Sequence, residues 1–218
     1  MKTKLFYSTI LFLFATIVTA QVSFGIQGGV NYQNLNGKSN NGDALENTMI
    51  PGYNAGISIQ IPVAPEFYFQ PGLLYSTKGA QHQGALFTTT TKLSYVELPL
   101  NFVYKGSVGS GFVLLGVGPY VAYGISGNVI TEGGSISLET PVQFQNVVEL
   151  GDSPLVPYYR ALDAGGNVFI GYELSGGIFV QLNAQLGMLD INPEYTVLTN
   201  DKSIIKNTGF GVSLGYRF

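Results

Sequence analysis

The sequence contains no cysteine, which excludes a disulfide framework and every thiolate metal site. It has one histidine and no tryptophan, and charged residues make up only 11% of its 218 residues. The formal net charge is -3 and basic residues do not cluster, so we expect no nucleic-acid partner. What is abundant is glycine and tyrosine, with 29 and 14 residues, a composition unlike that of a typical soluble domain.

The first twenty residues have the pattern of a cleaved signal peptide. Lys2 and Lys4 precede a mostly apolar run from Leu5 to Val18, and Val18, Thr19 and Ala20 supply the small residues of a cleavage site. We therefore predict a signal peptide at 1–20 and one mature domain at 21–218; loss of the two lysines takes the formal charge from -3 to -5. The alternative is an uncleaved anchor helix, for which the run is short, and no later stretch approaches the roughly 18 apolar residues of a membrane-spanning helix.

The last ten residues, GFGVSLGYRF, alternate large apolar side chains with small or charged ones. Successive side chains of a strand point to opposite faces, so one face of this segment is wholly apolar. Glycines cannot fill a protein core and Arg217 needs polar surroundings, which favours an apolar face in lipid and a polar face in a wet lumen. The segment also looks like the signal that the barrel-assembly machinery of outer membranes reads, and the residues expected to form it are Phe210, Val212, Leu214, Tyr216 and Phe218.

The same alternation recurs in seven earlier segments. With the C-terminal one they are 23–32, 53–61, 67–76, 96–104, 113–125, 162–173, 178–188 and 209–218. Each approaches or exceeds the 9–11 residues, approximately, that an oblique strand needs to cross a membrane. The sequence therefore predicts an all-β protein, a closed antiparallel up-and-down transmembrane barrel of about eight strands with a polar interior.

Short and long connections alternate along the chain. The turns near 62–65, 105–110 and 175–177 are brief, whereas 33–50, 77–90, 126–159 and 190–207 are longer and polar. Short turns face the periplasm in such barrels, so both termini are expected there and the long loops outside, in the outer membrane of a Gram-negative bacterium. Segments 135–138 and 142–150 could form a further hairpin and raise the count to ten, but they lack clean apolar faces and we favour eight.

Three prolines fall inside predicted strands: Pro71, Pro99 and Pro119. A closed barrel has no free edge to hold them, so we expect bulges or local unpairing at these positions.

Polar residues on the predicted lumen face form the candidate site, an interior network of Glu97, Asn101, Tyr120, Asp163, Asn167, Glu173 and Arg217. Buried charges need partners, and Glu173 and Arg217 both lie near the periplasmic end, so we predict that Arg217 bonds Glu173 or Glu97. Asn101 and Tyr120 should add hydrogen bonds, and Asp163 should lie near the outer rim. A polar plug that fixes strand register is one interpretation, and a path for protons or ions is the other.

Neither catalysis nor a cofactor is indicated. His82, in the predicted loop 77–90, has no serine at a recognisable catalytic spacing. The alternating Gly116, Gly118 and Gly124 do not make a dinucleotide-binding loop, and no residues have the spacing of metal ligands. We expect a non-enzymatic protein with neither cofactor nor metal.

Three stretches resemble the PorT-type outer-membrane β-barrel proteins of Bacteroidetes: FYFQPGLLYSTKGA, LSYVELPLNFVYK and GFVLLGVGPYVAYGISG. The resemblance implies that the strand prolines are a family device. The member that gives the family its name takes part in type IX protein secretion, which the resemblance leaves open for this chain. The expected role is structural, binding or secretion-associated, with outer-membrane lipid, the assembly machinery and envelope or secretion proteins as partners. A narrow pore for small solutes and a soluble lipocalin-like carrier are the alternatives.

Overall fold

Eight antiparallel strands form a closed ring in the computed structural model, which describes residues 22–196 and 201–218. The predicted signal peptide at 1–20 lies outside the described residues. Each strand pairs with its neighbour along the chain, and the last pairs with the first from Gly25↔Arg217 to Lys38↔Ile204. The strands are β1 Ser23–Lys38, β2 Ile50–Ala64, β3 Phe67–Gln83, β4 Thr88–Val108, β5 Gly111–Gly133, β6 Leu162–Leu174, β7 Ile178–Gly187 and β8 Ile204–Arg217. Within these residues, no helix is long and apolar enough to cross a membrane.

Large apolar side chains cover the outside of the ring. Val212 on β8, Leu182 on β7 and Ile57 on β2 are 43%, 57% and 56% exposed, whereas Arg217 is 6% exposed. The predicted assembly residues Phe210, Val212, Leu214, Tyr216 and Phe218 all lie on this exposed face. The predicted orientation is therefore confirmed: an apolar exterior encloses a bore lined with polar residues.

Pairs of aromatic rings lie towards both ends of this exterior, most of them joining neighbouring strands. Near the long-loop end, the Tyr32 and Phe210 rings are 5.9 Å apart and the Tyr53 and Tyr75 rings 5.8 Å apart. Near the short-turn end, the pairs Phe67–Tyr104, Phe69–Phe102 and Tyr216–Phe218 lie within 5.4 Å. Rings with an apolar body and a polar tip suit the two membrane interfaces.

The strands are longer than their apolar alternation indicated, so most predicted connections were too long. β1 continues to Lys38, β5 continues to Gly133, and β8 begins at Ile204. The predicted loop 77–90 is mostly strand, with only residues 84–87 between β3 and β4. The predicted turn 105–110 shrinks to residues 109–110, because β4 continues to Val108. β4 and β5 have 21 and 23 residues, about twice what a membrane crossing needs. Their outer parts, with the end of β3 and the added strand Ile136–Pro141, form a sheet that we call the outer extension.

The three predicted strand prolines, Pro71, Pro99 and Pro119, are accommodated by local unpairing without a register shift. Pairing between β3 and β4 stops after Pro71↔Leu100 and resumes at Leu74↔Glu97 in the same register, and β4–β5 pairing lapses in the same way beside Pro99 and Pro119. The register shifts lie elsewhere, between Ser94 and Tyr95 and between Pro62 and Ala64. Missing proline N–H groups thus interrupt individual ladders while the barrel stays closed.

The long segment between β5 and β6 adds no spanning strand, which confirms the expectation of eight. Ile136–Pro141 pairs with the outer part of β5. The remainder folds over the barrel mouth: Gln143–Phe144 pairs with Tyr158–Tyr159, and Val147–Val148 pairs with Glu194–Tyr195 from the connection before β8.

Candidate functional site

The bore holds two groups of buried charges, one towards each end. The outer cluster centres on Lys78, whose Nζ lies 3.0 Å from Asp163 Oδ2 and 3.2 Å from Glu97 Oε2. All three side chains are at most 4% exposed. Three strands supply them (β3, β4 and β6), so the cluster ties opposite parts of the wall together across the bore.

Neutral groups complete the outer cluster. Asn207 Nδ2 donates to Asp163 Oδ2 at 2.9 Å, and the Tyr120 hydroxyl donates to the same oxygen at 3.3 Å. Gln185 Nε2 donates to Glu97 Oε1 at 2.7 Å, and Lys78 Nζ lies 4.3 Å from the centre of the Tyr120 ring. Each charge thus has a partner of opposite sign and at least one further polar contact, as deep burial of an ion requires.

The second cluster, at the short-turn end, joins Glu173 to two cations. Arg217 Nε donates to Glu173 Oε2 at 2.8 Å, and Lys105 Nζ donates to Glu173 Oε1 at 2.6 Å. Aromatic rings flank both cations, with the Arg217 guanidinium 5.1 Å from the Phe179 ring and Lys105 Nζ 4.6 Å from the Phe112 ring. This cluster has a formal charge of +1 and the outer cluster one of -1, so the two balance across the bore.

The residues predicted to form one interior network are divided between the two clusters, and some of their contacts differ from those predicted. Arg217 contacts Glu173, whereas Glu97 belongs to the outer cluster; Tyr120 bonds Asp163 and not Arg217. Asn101 is buried, but its Oδ1 accepts no hydrogen bond, so the expected contribution to the Arg217 contacts was wrong. Asn167 faces the same bore and its Oδ1 is likewise unpartnered.

Two central residues, Lys78 and Lys105, were missed because both were assigned to connections. A signal for them was present in the sequence. Lys78 has the same parity as the inward-facing Gln70 and Ser76, and Lys105 the same parity as Asn101. Continuing the two-residue period past the apolar part of each strand would have placed both lysines inside.

Between the clusters lies a small chamber lined mainly by amides. Its volume is about 70 Å³, which accommodates a few water molecules. Its polar lining includes Asn31, Asn54, Gln70, Asn101, Asn167, Gln181, Asn183, Gln185, Ser58 and Ser213. Amides, ions and, towards the short turns, the buried side chains of Val103, Leu114, Phe169 and Phe179 fill the described bore. It does not offer the apolar cavity that a lipocalin-like carrier uses, which counts against that alternative.

Above the outer cluster an apolar group closes the barrel mouth; we call it the cap. Wall residues Leu35, Leu93 and Tyr95 pack there with Ile191, which comes from the connection before β8 and is completely buried. Phe144 packs against the same group, with its ring 6.4 Å from that of Tyr95. Backbone bonds fix the cap: Arg160 N donates to Ile191 O and Ile191 N to Ile205 O, both at 2.8 Å.

Tyr159 lies at the side of the cap, outside the membrane-spanning part. Burial raises the pKa of its phenol above the ordinary value, although a contact with Thr91 opposes the shift. Its hydroxyl lies 3.4 Å from Thr91 Oγ1. The phenol therefore stays protonated at neutral pH and keeps its role as a hydrogen-bonding group between the cap and β4.

The structure corrects the predicted location of the histidine. His82 lies on β3 in the outer extension, not in a loop, and its Nδ1 is 3.2 Å from the backbone oxygen of Glu46. Within the described ranges, no three histidine, cysteine, aspartate or glutamate side chains come together as metal ligands would.

Solved structures of two bacterial surface proteins are similar to this chain. Ail, the attachment invasion locus protein of Yersinia pestis, is 11% identical with a TM-score of 0.38, over 90% of this chain and 98% of that one. Neisserial surface protein A is 12% identical with a TM-score of 0.44, over 89% and 97% of the two chains. Likeness at this level carries no argument about function.

A search of curated proteins found no match. The family model described as "Outer membrane protein beta-barrel domain" matches residues 18–192, most of the chain. The description names a β-barrel of the outer membrane, and the closed ring of strands with its apolar exterior agrees with it. The chain belongs to the outer membrane protein beta-barrel domain family.

Proposed function

We propose that the protein is a closed, non-enzymatic barrel that holds a binding platform, the outer extension, at the cell surface. The observation that carries this proposal is the unequal length of the strands. β7 has 10 residues, enough for one crossing, whereas β4 and β5 have 21 and 23. The surplus of β4 and β5, with Ile136–Pro141, forms a sheet on one side of the mouth.

Because the bore is filled, binding at the outer end of the barrel is better supported than transport of a solute through it. A solute entering from outside would meet the cap, then the Lys78 cluster, and then the Glu173 cluster. Opening such a path would separate buried ion pairs, which costs several kcal/mol for each charge left without its partner.

A narrow pore is the second candidate, and one observation favours it. The chamber of about 70 Å³ gives the middle of the bore a polar lining, most of it amide side chains. Planar-bilayer recording of the refolded protein separates the two functions. Our proposal predicts electrically silent bilayers, whereas steady conductance that changes on Arg217→Met would favour the pore.

The proposal also names partners of the protein in the cell envelope. We place the protein among PorT-type barrels of the cell envelope, in a structural or secretion-associated assembly. The C-terminal strand is proposed as the segment that the barrel-assembly machinery reads; Phe218 is 71% exposed, and its backbone N–H donates to Phe24 O at 2.7 Å.

Blocking each end of the barrel in turn tests whether the outer extension binds the partner. Because the chain has no cysteine, single cysteines can be introduced at Leu86, at the tip of the outer extension, and at Ser175, in an exposed turn at the other end. Each variant is coupled to a bulky maleimide polymer and used to capture cross-linked partners from native envelopes. We expect the label at Leu86 to abolish capture and the label at Ser175 to leave it intact; equal capture by both would contradict the proposal.

A further inference from the structure

The outer extension ends in a strand with an unpaired edge. Ile136–Pro141 pairs with β5 along one side, from Gly133↔Ile136 to Asn128↔Pro141. Among the described residues, no strand pairs with its other side. Six residues of strand present about 20 Å of backbone, in which alternate N–H and C=O groups point outward.

This edge has only part of the protection that free strands usually carry: it is short and bears one charged residue, Glu139. Natural edges are also blunted by lysine, by proline within the strand, by a bulge or by a covering segment. Here the strand is ISLETP, with no lysine and its only proline at the end, and its pairing with β5 has no register shift. Five of the six residues are exposed, Thr140 being the exception.

The two faces beside the edge have different chemistry. On one face Ile136 and Leu138 are 65% and 60% exposed, and the ring of Phe87 lies over Gly133, which pairs with Ile136. The other face carries the exposed carboxylates of Glu139 and Glu132, which form no ion pair within the described residues.

We propose that the free edge of Ile136–Pro141 binds an extended segment of a partner protein by strand addition, and that this segment alternates apolar with basic side chains. The inference rests on the proposed function and names its site and ligand class. Backbone hydrogen bonds to the edge supply affinity in this mode, and alternate side chains supply specificity. Apolar side chains of the added strand would extend the Ile136–Leu138 face, and basic ones would pair with Glu139 and Glu132. Lys92 shares the acidic face but lies two strands away from the edge.

Binding of model peptides to the full-length protein, refolded in lipid nanodiscs, tests strand addition at the edge of Ile136–Pro141. The probe is an eight-residue peptide of alternating valine and lysine. Its controls are the same peptide with alternate amides N-methylated, and a valine–glutamate peptide of equal length. Hydrogen exchange reports the backbone amides of residues 136–141, and a titration reports affinity.

We expect the valine–lysine peptide to slow exchange at residues 136–141 and not at the exposed turn 175–177. N-methylation should weaken binding by about tenfold or more, since each lost hydrogen bond is worth roughly a factor of five to ten. The double variant Glu132→Lys/Glu139→Lys should reverse the preference in favour of the glutamate peptide. Equal binding of the methylated peptide would overturn strand addition, and an unchanged preference in the double variant would overturn the basic alternation.

Two further outcomes separate this inference from the proposed function. If the peptides fail to bind while a label at Leu86 still abolishes capture of partners, the platform stands and the edge is not its site. If a cysteine at Leu138 cross-links two copies of the chain without peptide, the edge pairs with itself and the partner assignment is wrong.

Discussion

Lys78→Met is expected to be among the most damaging single changes in the bore. The substitution keeps most of the side-chain volume but removes the cation that lies 3.0 Å from Asp163 and 3.2 Å from Glu97. Both carboxylates are buried, so bulk water does not reach them to replace the lost ammonium. Breaking a buried ion pair by removing one partner costs about 3–5 kcal/mol.

Urea titration of the protein refolded in lipid measures this loss. With an m value of about 1–3 kcal/mol/M, the unfolding midpoint should fall by one to several molar. Far-UV circular dichroism and the electrophoretic shift of heated samples report unfolding, because the chain has no tryptophan to follow by fluorescence.

The matched control is Lys92→Met, which removes an exposed lysine from β4. It should change the free energy of unfolding by about 0.5 kcal/mol or less, as is usual for surface sites. Adding Asp163→Asn to Lys78→Met removes one of the two buried carboxylates left without a cation. This double change should recover part of the lost free energy of unfolding. If Lys78→Met destabilises no more than Lys92→Met, the outer cluster does not stabilise the bore as argued.

Two other changes test the wall and the assembly segment. Leu182→Arg places a charge on the apolar exterior and should cost about 2–4 kcal/mol near mid-membrane in a refolding titration, whereas Leu86→Arg at the outer tip should cost less than about 1 kcal/mol; equal costs would mean that Leu182 does not face lipid. Deleting Phe218 should lower the yield of membrane-inserted protein more than trimming the exposed segment 150–155 does, because only the first change alters the proposed assembly segment; equal yields by fractionation would contradict that.

The two-residue period was sufficient to predict the strands and the orientation of their faces. It works because lipid outside and polar groups inside impose opposite demands on neighbouring residues. The period failed to predict strand residues beyond the membrane, where the outer face contacts water and need not be apolar. Thr88 to Thr91 and Gln81 to Gln83 have a loop-like polar composition, yet they belong to strands that extend beyond the apolar band.

Contacts across the bore were harder to predict than contacts between neighbouring strands. Lys78 and Asp163 are 85 residues apart and come from strands that are not paired with each other. Their meeting depends on how far the strands are staggered around the ring, which alternation does not encode. The cap was unpredictable for a related reason, since Ile191 is buried only through contacts with distant residues such as Leu35 and Tyr95.

The orientation of the wall is the claim on which the account depends most. A cysteine scan of β7 from Val180 to Leu186, with a nitroxide label at each position in lipid nanodiscs, measures accessibility to oxygen in the acyl region and to a polar nickel reagent in water. The account predicts oxygen maxima at Val180, Leu182, Ala184 and Leu186, with minima at Gln181, Asn183 and Gln185. Maxima at the glutamine and asparagine positions, or no two-residue period, would contradict it.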